Sequence, residues 1–154
     1  MRRIINLSSM LLSGDSYILM IRIAEPQNDL TDYKFICFNG KVQCSFTCTG
    51  RNTDNGLHVT FYDMAWQKLP FARHYPVERR AMSKPVNYEK MVELAERLSA
   101  PLKFSRIDFY EINGKIYFGE ITFFRGNGME EFSPLEWDSR LGDLLKITAD
   151  SSRQ

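Results

Sequence analysis

The sequence predicts an α+β fold: a largely antiparallel sheet built from hairpins, with two main helices. Phe38-Asn39-Gly40-Lys41 and Ile112-Asn113-Gly114-Lys115 each set an Asn-Gly pair between apolar-rich, alternating runs, the short-range signature of a β-hairpin. Helical spacing of apolar residues is confined to stretches after Asn87 and after Ser133. Strands and helices are interspersed with hairpins rather than joined by repeated crossovers, which points away from a parallel sheet.

In chain order, residues 1–16 have no clean period and end in the turn-like Ser13-Gly14-Asp15-Ser16. Tyr17 to Ile23 is rich in strand formers, and Pro26 to Asp32 is a loop. Tyr33 to Phe38 and Lys41 to Thr47 form the first hairpin. Thr49 to Gly56 is polar and turn-rich, Leu57 to Tyr62 is another strand, and Trp66 lies in a short connection. Phe71 to Pro76 is an aromatic and basic loop whose His74 lacks a nearby second ligand. Arg79, Arg80 and Lys84 are a basic run that solvent or a phosphate can satisfy. Asn87 is placed to cap a helix with Met91, Leu94, Ala95 and Leu98 on its buried side, and Pro101 stops it. Arg125-Gly126-Asn127-Gly128 is a flexible loop. Ser133, Pro134 and Glu136 fit the cap, first and third positions of a second helix, which buries Trp137, Leu141, Leu144 and Leu145. Residues 149–154 are expected to fray.

The central stretch runs from Phe104 to Phe124. One set of alternate residues (Ile107, Phe109, Tyr117, Ile121 and Phe123, with Ser105 and Gly119) is expected to line a core. Arg106, Asp108, Glu120 and Thr122 form the other set. A two-residue Asn113-Gly114 turn alone would send Glu120 to the face opposite Asp108. A three-residue Ile112-Asn113-Gly114 loop, with Gly114 as a bulge, shifts the register by one. Arg106 then opposes Glu120, with Asp108 diagonal to it at roughly 7–8 Å, close enough for two carboxylates to share a cation. We expect the bulged loop, which keeps the polar set continuous. The simpler alternative is a surface Arg106–Glu120 ion pair beside a solvated Asp108.

At 154 residues the chain can bury one real core. A net charge of +1 gives no reason to expect attraction to nucleic acid or to an anionic membrane. Eleven Phe and seven Tyr suit a β-rich core. Cys37, Cys44 and Cys48, odd in number and without metal-ligand spacing, read as reduced thiols of a cytoplasmic protein. The apolar start is broken by Asn6, Ser8 and Ser9, so export is not expected, and no apolar run is long enough to span a bilayer.

Several segments together resemble the TupA-like branch of the ATP-grasp superfamily. They are Asp32-Tyr33-Lys34-Phe35, Phe38-Asn39-Gly40-Lys41, Thr60-Phe61-Tyr62-Asp63, Arg73-His74-Tyr75-Pro76, Arg106-Ile107-Asp108-Phe109-Tyr110 and Ile116 to Phe123. The likeness runs in order from about Asn28 to Leu145, and it implies the C-terminal subdomain of an ATP-grasp fold over residues 28–148. Residues 1–27 would be a divergent or truncated N-terminal segment, and 149–154 a frayed tail. It further implies an ATP- and Mg²⁺-dependent ligase. Such an enzyme phosphorylates an acceptor carboxylate and lets an amine displace the phosphate, in teichuronopeptide or other cell-surface polysaccharide synthesis. Asp108 and Glu120 match the family's metal ligands, and Thr122 stands where many members have an Asn ligand. Lys34, Arg106 and Arg51 resemble the cations along the triphosphate, with Arg106 also catalytic; Arg125 to Gly128 resembles the acceptor loop. The implied partners are a nucleotide and a carboxylate-bearing polymer precursor. Because relatives carry a first nucleotide-binding subdomain ahead of this region, stand-alone turnover is expected to be small. The alternatives are a non-catalytic stub that self-associates or pairs with a full-length relative, and a glycosyltransferase, the latter resting on family labelling alone.

Overall fold

The computed structural model describes residues 31–51, 53–54, 56–123 and 132–144. The expected strand from Tyr17 to Ile23, the Arg125–Gly128 loop and the two chain ends lie outside them. The described chain is α+β. Strands β1 (Asp32–Phe38), β2 (Lys41–Thr49), β3 (His58–Tyr62), β4 (Phe104–Ile112) and β5 (Lys115–Thr122) form one antiparallel sheet in the order β3-β2-β1-β4-β5. Helices α1 (Tyr88–Ser99) and α2 (Glu136–Gly142) complete it.

Both Asn-Gly pairs make two-residue turns. Phe38 pairs with Lys41 around Asn39 and Gly40 at φ 51° and 74°, and Ile112 pairs with Lys115 around Asn113 and Gly114 at φ 51° and 70°. Positive φ at both central residues matches the right-handed strand twist, and Asn and Gly accept it most readily. The expected three-residue loop at Ile112–Gly114 is therefore not formed. The bulge lies further along the hairpin. Phe109 pairs with Phe118, whereas Ile107 pairs with Ile121 and Arg106 with Thr122, so Asp108 faces both Gly119 and Glu120. A Cβ on Gly119 would come within 3.1 Å of the Asp108 carbonyl oxygen, so this glycine permits the close approach.

The bulge keeps Glu120 on the side of Asp108, as expected, but changes which residues of β5 face the core. Ile116, Phe118 and Ile121 pack inward, while Tyr117 lies opposite Tyr110 on the other face and Phe123 is exposed.

One face of the sheet is covered by α1, through Tyr88, Met91, Ala95 and Ser99 at helical spacing; Leu94 is partly buried and Leu98 exposed. These residues close over Phe35, Cys37, Val42, Ile107 and Phe109. Asn87 does not cap the helix with its side chain. Glu111 of β4 accepts hydrogen bonds from the backbone N–H groups of Val86 and Asn87 at 3.2 and 3.0 Å, while the Asn87 amide donates to Glu111 and to the Gly114 carbonyl. A carboxylate thus meets the positive end of the helix and ties it to the β4–β5 hairpin. Trp66 stacks on Tyr62 at 4.1 Å between ring centres, and its indole N–H donates to the Met82 carbonyl at 3.0 Å.

The opposite face is divided. Toward β3 it is apolar: Ile36, Phe38, Cys44, Phe46, Cys48, Val59, Phe61 and Phe71 are buried, with Phe132, Trp137 and Leu141 packed against them. Phe71 joins the sheet to α2, 4.7 Å from Phe61 and 4.6 Å from Trp137 between ring centres. Ser133 does not cap α2. Its backbone exchanges two hydrogen bonds with Ala72, at 2.9 and 2.8 Å, and the helix begins at Glu136 with Leu135 in the cap position. Leu144 remains exposed.

Candidate functional site

The other half of this divided face is polar. Alternation along β1 brings Asp32 and Lys34 to it, and alternation along β4 brings Arg106, Asp108 and Tyr110. The β1–β4 register sets Lys34 directly opposite Asp108 and Asp32 opposite Tyr110. The bulge adds Glu120 and Thr122 from β5.

These groups form one continuous ion network. Lys34 Nζ donates to Asp108 Oδ2 and lies 3.4 Å from Asp32 Oδ2. Arg106 grips Asp108 with two prongs, Nε to Oδ1 at 2.6 Å and Nη2 to Oδ2 at 2.7 Å, and Nη2 also donates to Glu120 Oε1. Thr122 Oγ1 donates to Glu120 Oε1 at 3.2 Å, and Arg51 reaches Asp32 Oδ2 at 3.1 Å. Lys34, Arg106 and Asp108 are only 6%, 7% and 2% exposed, so each charge needs its partners in order to be buried at all. The three cations Lys34, Arg51 and Arg106 balance the three anions Asp32, Asp108 and Glu120. Burial by itself would lower the Arg106 pKa, but the hydrogen bonds and charge of Asp108, with the charge of Glu120, outweigh it and leave the pKa above its usual value. The Tyr110 phenol is raised by burial, by its hydrogen bond to Asp32 and by the carboxylates beside it.

Asp108 and Glu120 supply hard oxygen donors of the class Mg²⁺ takes, one or two carboxylates completed by water and phosphate oxygens. Glu120, with its side chain 53% exposed, is the accessible member. The cation between them in this arrangement is the Arg106 guanidinium, whose place a metal would have to take. Among the described residues no set of three or more His, Cys, Asp or Glu side chains converges on a metal position.

The TupA-like ATPgrasp family profile matches residues 20–146, most of the chain. The chain belongs to this family. Neither the search of curated proteins nor that of solved structures gives a match. Of the residues that the ATP-grasp likeness singled out, Lys34, Arg51, Arg106, Asp108 and Glu120 all fall within one network, and Thr122 bonds to Glu120 rather than to the arginine. Asp32 and Tyr110 also belong to it, though sequence reasoning overlooked them. The available signal was spacing, since each lies two residues along a strand from a chosen side chain and therefore shares its face. Among the described residues no helix is long and apolar enough to cross a membrane.

Proposed function

We propose that this ATP-grasp chain acts in an ATP- and Mg²⁺-dependent ligase that joins a carboxylate to an amine during teichuronopeptide or other cell-surface polysaccharide synthesis, with its polar sheet face as the floor of the nucleotide site. One observation carries the reading. Within the region matching the family, two buried cations and two carboxylates meet on a single sheet face, and one of the carboxylates opens to solvent.

Lys34 and Arg106 would lie along the triphosphate, with Arg51 at the exposed rim. Arg106 would stabilise the transferring phosphoryl group, because a fixed guanidinium offsets charge that develops on phosphate oxygens. Asp108 and Glu120 would hold Mg²⁺, which bridges phosphates and neutralises their charge when bound. The acceptor is a carboxylate-bearing polymer precursor. A cytoplasmic location belongs to the same reading, since ATP is available there and the cysteines Cys37, Cys44 and Cys48, none in a disulfide, stay reduced.

Calorimetry with Mg²⁺-ATP tests the site, comparing the wild type with Glu120→Ala, which should weaken binding while sparing the fold, and with the Asp108→Ala/Glu120→Ala double variant, its folding checked by circular dichroism. Binding by the wild type that is lost in the double variant is the expected result. Equal binding by all three, or none by the wild type, would remove the nucleotide site. A second reading, a binding module without chemistry, is favoured by the internal neutrality of the network, which satisfies every charge without a ligand. Nucleotide binding with no ADP release even when acceptor, amine and the first nucleotide-binding subdomain of a relative are supplied would select it.

A further inference from the structure

We propose that Arg106 is a built-in stand-in for the divalent cation, so that metal and nucleotide must exchange partners with the network together rather than bind one at a time. The proposal rests on the nucleotide-site reading above and concerns how that site is entered.

The geometry makes either ligand a poor binder alone. Arg106 donates to both oxygens of Asp108 and to Glu120 Oε1, and so occupies the position between the two carboxylates. A metal arriving by itself would have to displace the guanidinium. Arg106 and Lys34, 7% and 6% exposed, would then share fewer anions in a setting where an unpaired charge is expensive. A triphosphate arriving by itself meets cations already engaged: Lys34 faces Asp108 and Asp32, and Arg51 faces Asp32. It also brings negative charge toward three carboxylates. When both arrive, the metal takes the carboxylates and the phosphates take Arg106 and Lys34, and every charge keeps a partner. The two binding equilibria are thus coupled, and each ligand strengthens the other by the same factor.

Calorimetry on the full chain tests this with Mg²⁺ alone, ATP plus chelator alone, and each titrated in the presence of the other. In the wild type each ligand should tighten the other by at least about 5-fold, within the roughly 5–150-fold range of coupled sites. Arg106→Gln should bind Mg²⁺ alone about 10-fold more tightly and lose most of the coupling. Arg97→Gln removes the same charge on α1, across the sheet from Asp108 and Glu120, so it should do neither. A purely structural role for Arg106 predicts no gain in metal affinity. Wild-type binding of Mg²⁺-ATP with no mutual tightening would overturn this inference while leaving the nucleotide site intact. So would a metal affinity unchanged in Arg106→Gln or raised equally in Arg97→Gln. No Mg²⁺-ATP binding by the wild type would overturn both. Circular dichroism shows whether Arg106→Gln folds; if it does not, Arg106→Lys, which keeps the charge but loses the two-pronged grip on Asp108, takes its place and should still gain metal affinity.

Discussion

Asp108 is 2% exposed and accepts hydrogen bonds from both Lys34 and Arg106, so its loss would leave two buried cations side by side. Breaking a buried ion pair from one side costs about 3–5 kcal/mol, and Asp108→Ala should lose that much in urea unfolding. Glu120 makes its ion pair with a side chain 53% exposed, so Glu120→Ala should cost only about 0–1 kcal/mol. Equal losses for the two variants would show that Asp108 is not buried as described. The contrast separates structure from chemistry, since the variant that spares the fold still removes a proposed metal ligand. The thiols give an independent measure of burial. Cys37 and Cys44 are buried, and burial pushes their pKa values up to about 11 and about 12. The thiolate is the reactive form, so neither should react with a disulfide reagent near neutral pH until denaturant is added.

The β4–β5 hairpin depends on Gly119 at the bulge as much as on Gly114 in the turn. A methyl group on Gly119 would sit 3.1 Å from the Asp108 carbonyl oxygen and 3.3 Å from its Cβ. The Asp108 backbone, paired with Lys34 of β1 on its other side, must then give by a few tenths of an ångström, so Gly119→Ala should cost about 1–3 kcal/mol and shift Asp108 relative to Arg106. Thermal unfolding and Mg²⁺-ATP affinity should fall together; a variant of unchanged stability would mean that the bulge lies elsewhere. This hairpin also marks where the sequence could be read and where it could not. The positions of the Asn-Gly turns, the strands they join and the helical spacing after Asn87 are local patterns and were legible, but the turn at Asn113-Gly114 takes two residues where three were expected. The bulge position was not, because it depends on packing Ile116 and Phe118 beside Ile121 while a side-chain-free residue passes Asp108. Nor was the cap of α1, whose acceptor Glu111 comes from a strand 24 residues from Asn87. Ser133 had the composition of a cap, but its backbone was claimed by Ala72. That Asp108 and Glu120 share a face was legible, whereas Asp32 and Tyr110 join them only through the β1–β4 pairing.

Across the whole molecule, the same sheet carries a helix-covered apolar face and a divided one, and both bury groups that ionise at alkaline pH. Cys37, Tyr33 and Tyr88 contribute to the α1 side, and Cys44 and Tyr110 lie on the other. For all five, burial is the largest cause of a raised pKa; for Tyr33, Tyr88 and Tyr110 the starting value is 10.0. In the unfolded chain the two thiols lose their protons near 9.0, whereas in the folded chain they keep them to about 11 and about 12. From about pH 9 upward the unfolded state therefore binds fewer protons than the folded one, and stability must fall as pH rises. Each group that ionises only in the unfolded state steepens the fall by about 1.4 kcal/mol per pH unit. Urea unfolding at about pH 8, 9 and 10 should show a small change over the first step and a larger loss over the second, as the thiols and then the tyrosines join in. Replacing Cys37 and Cys44 by alanine should flatten the onset near pH 9 even though the cavities lower stability at every pH. An equally steep onset in that variant would show that the thiols do not set the alkaline limit of the fold.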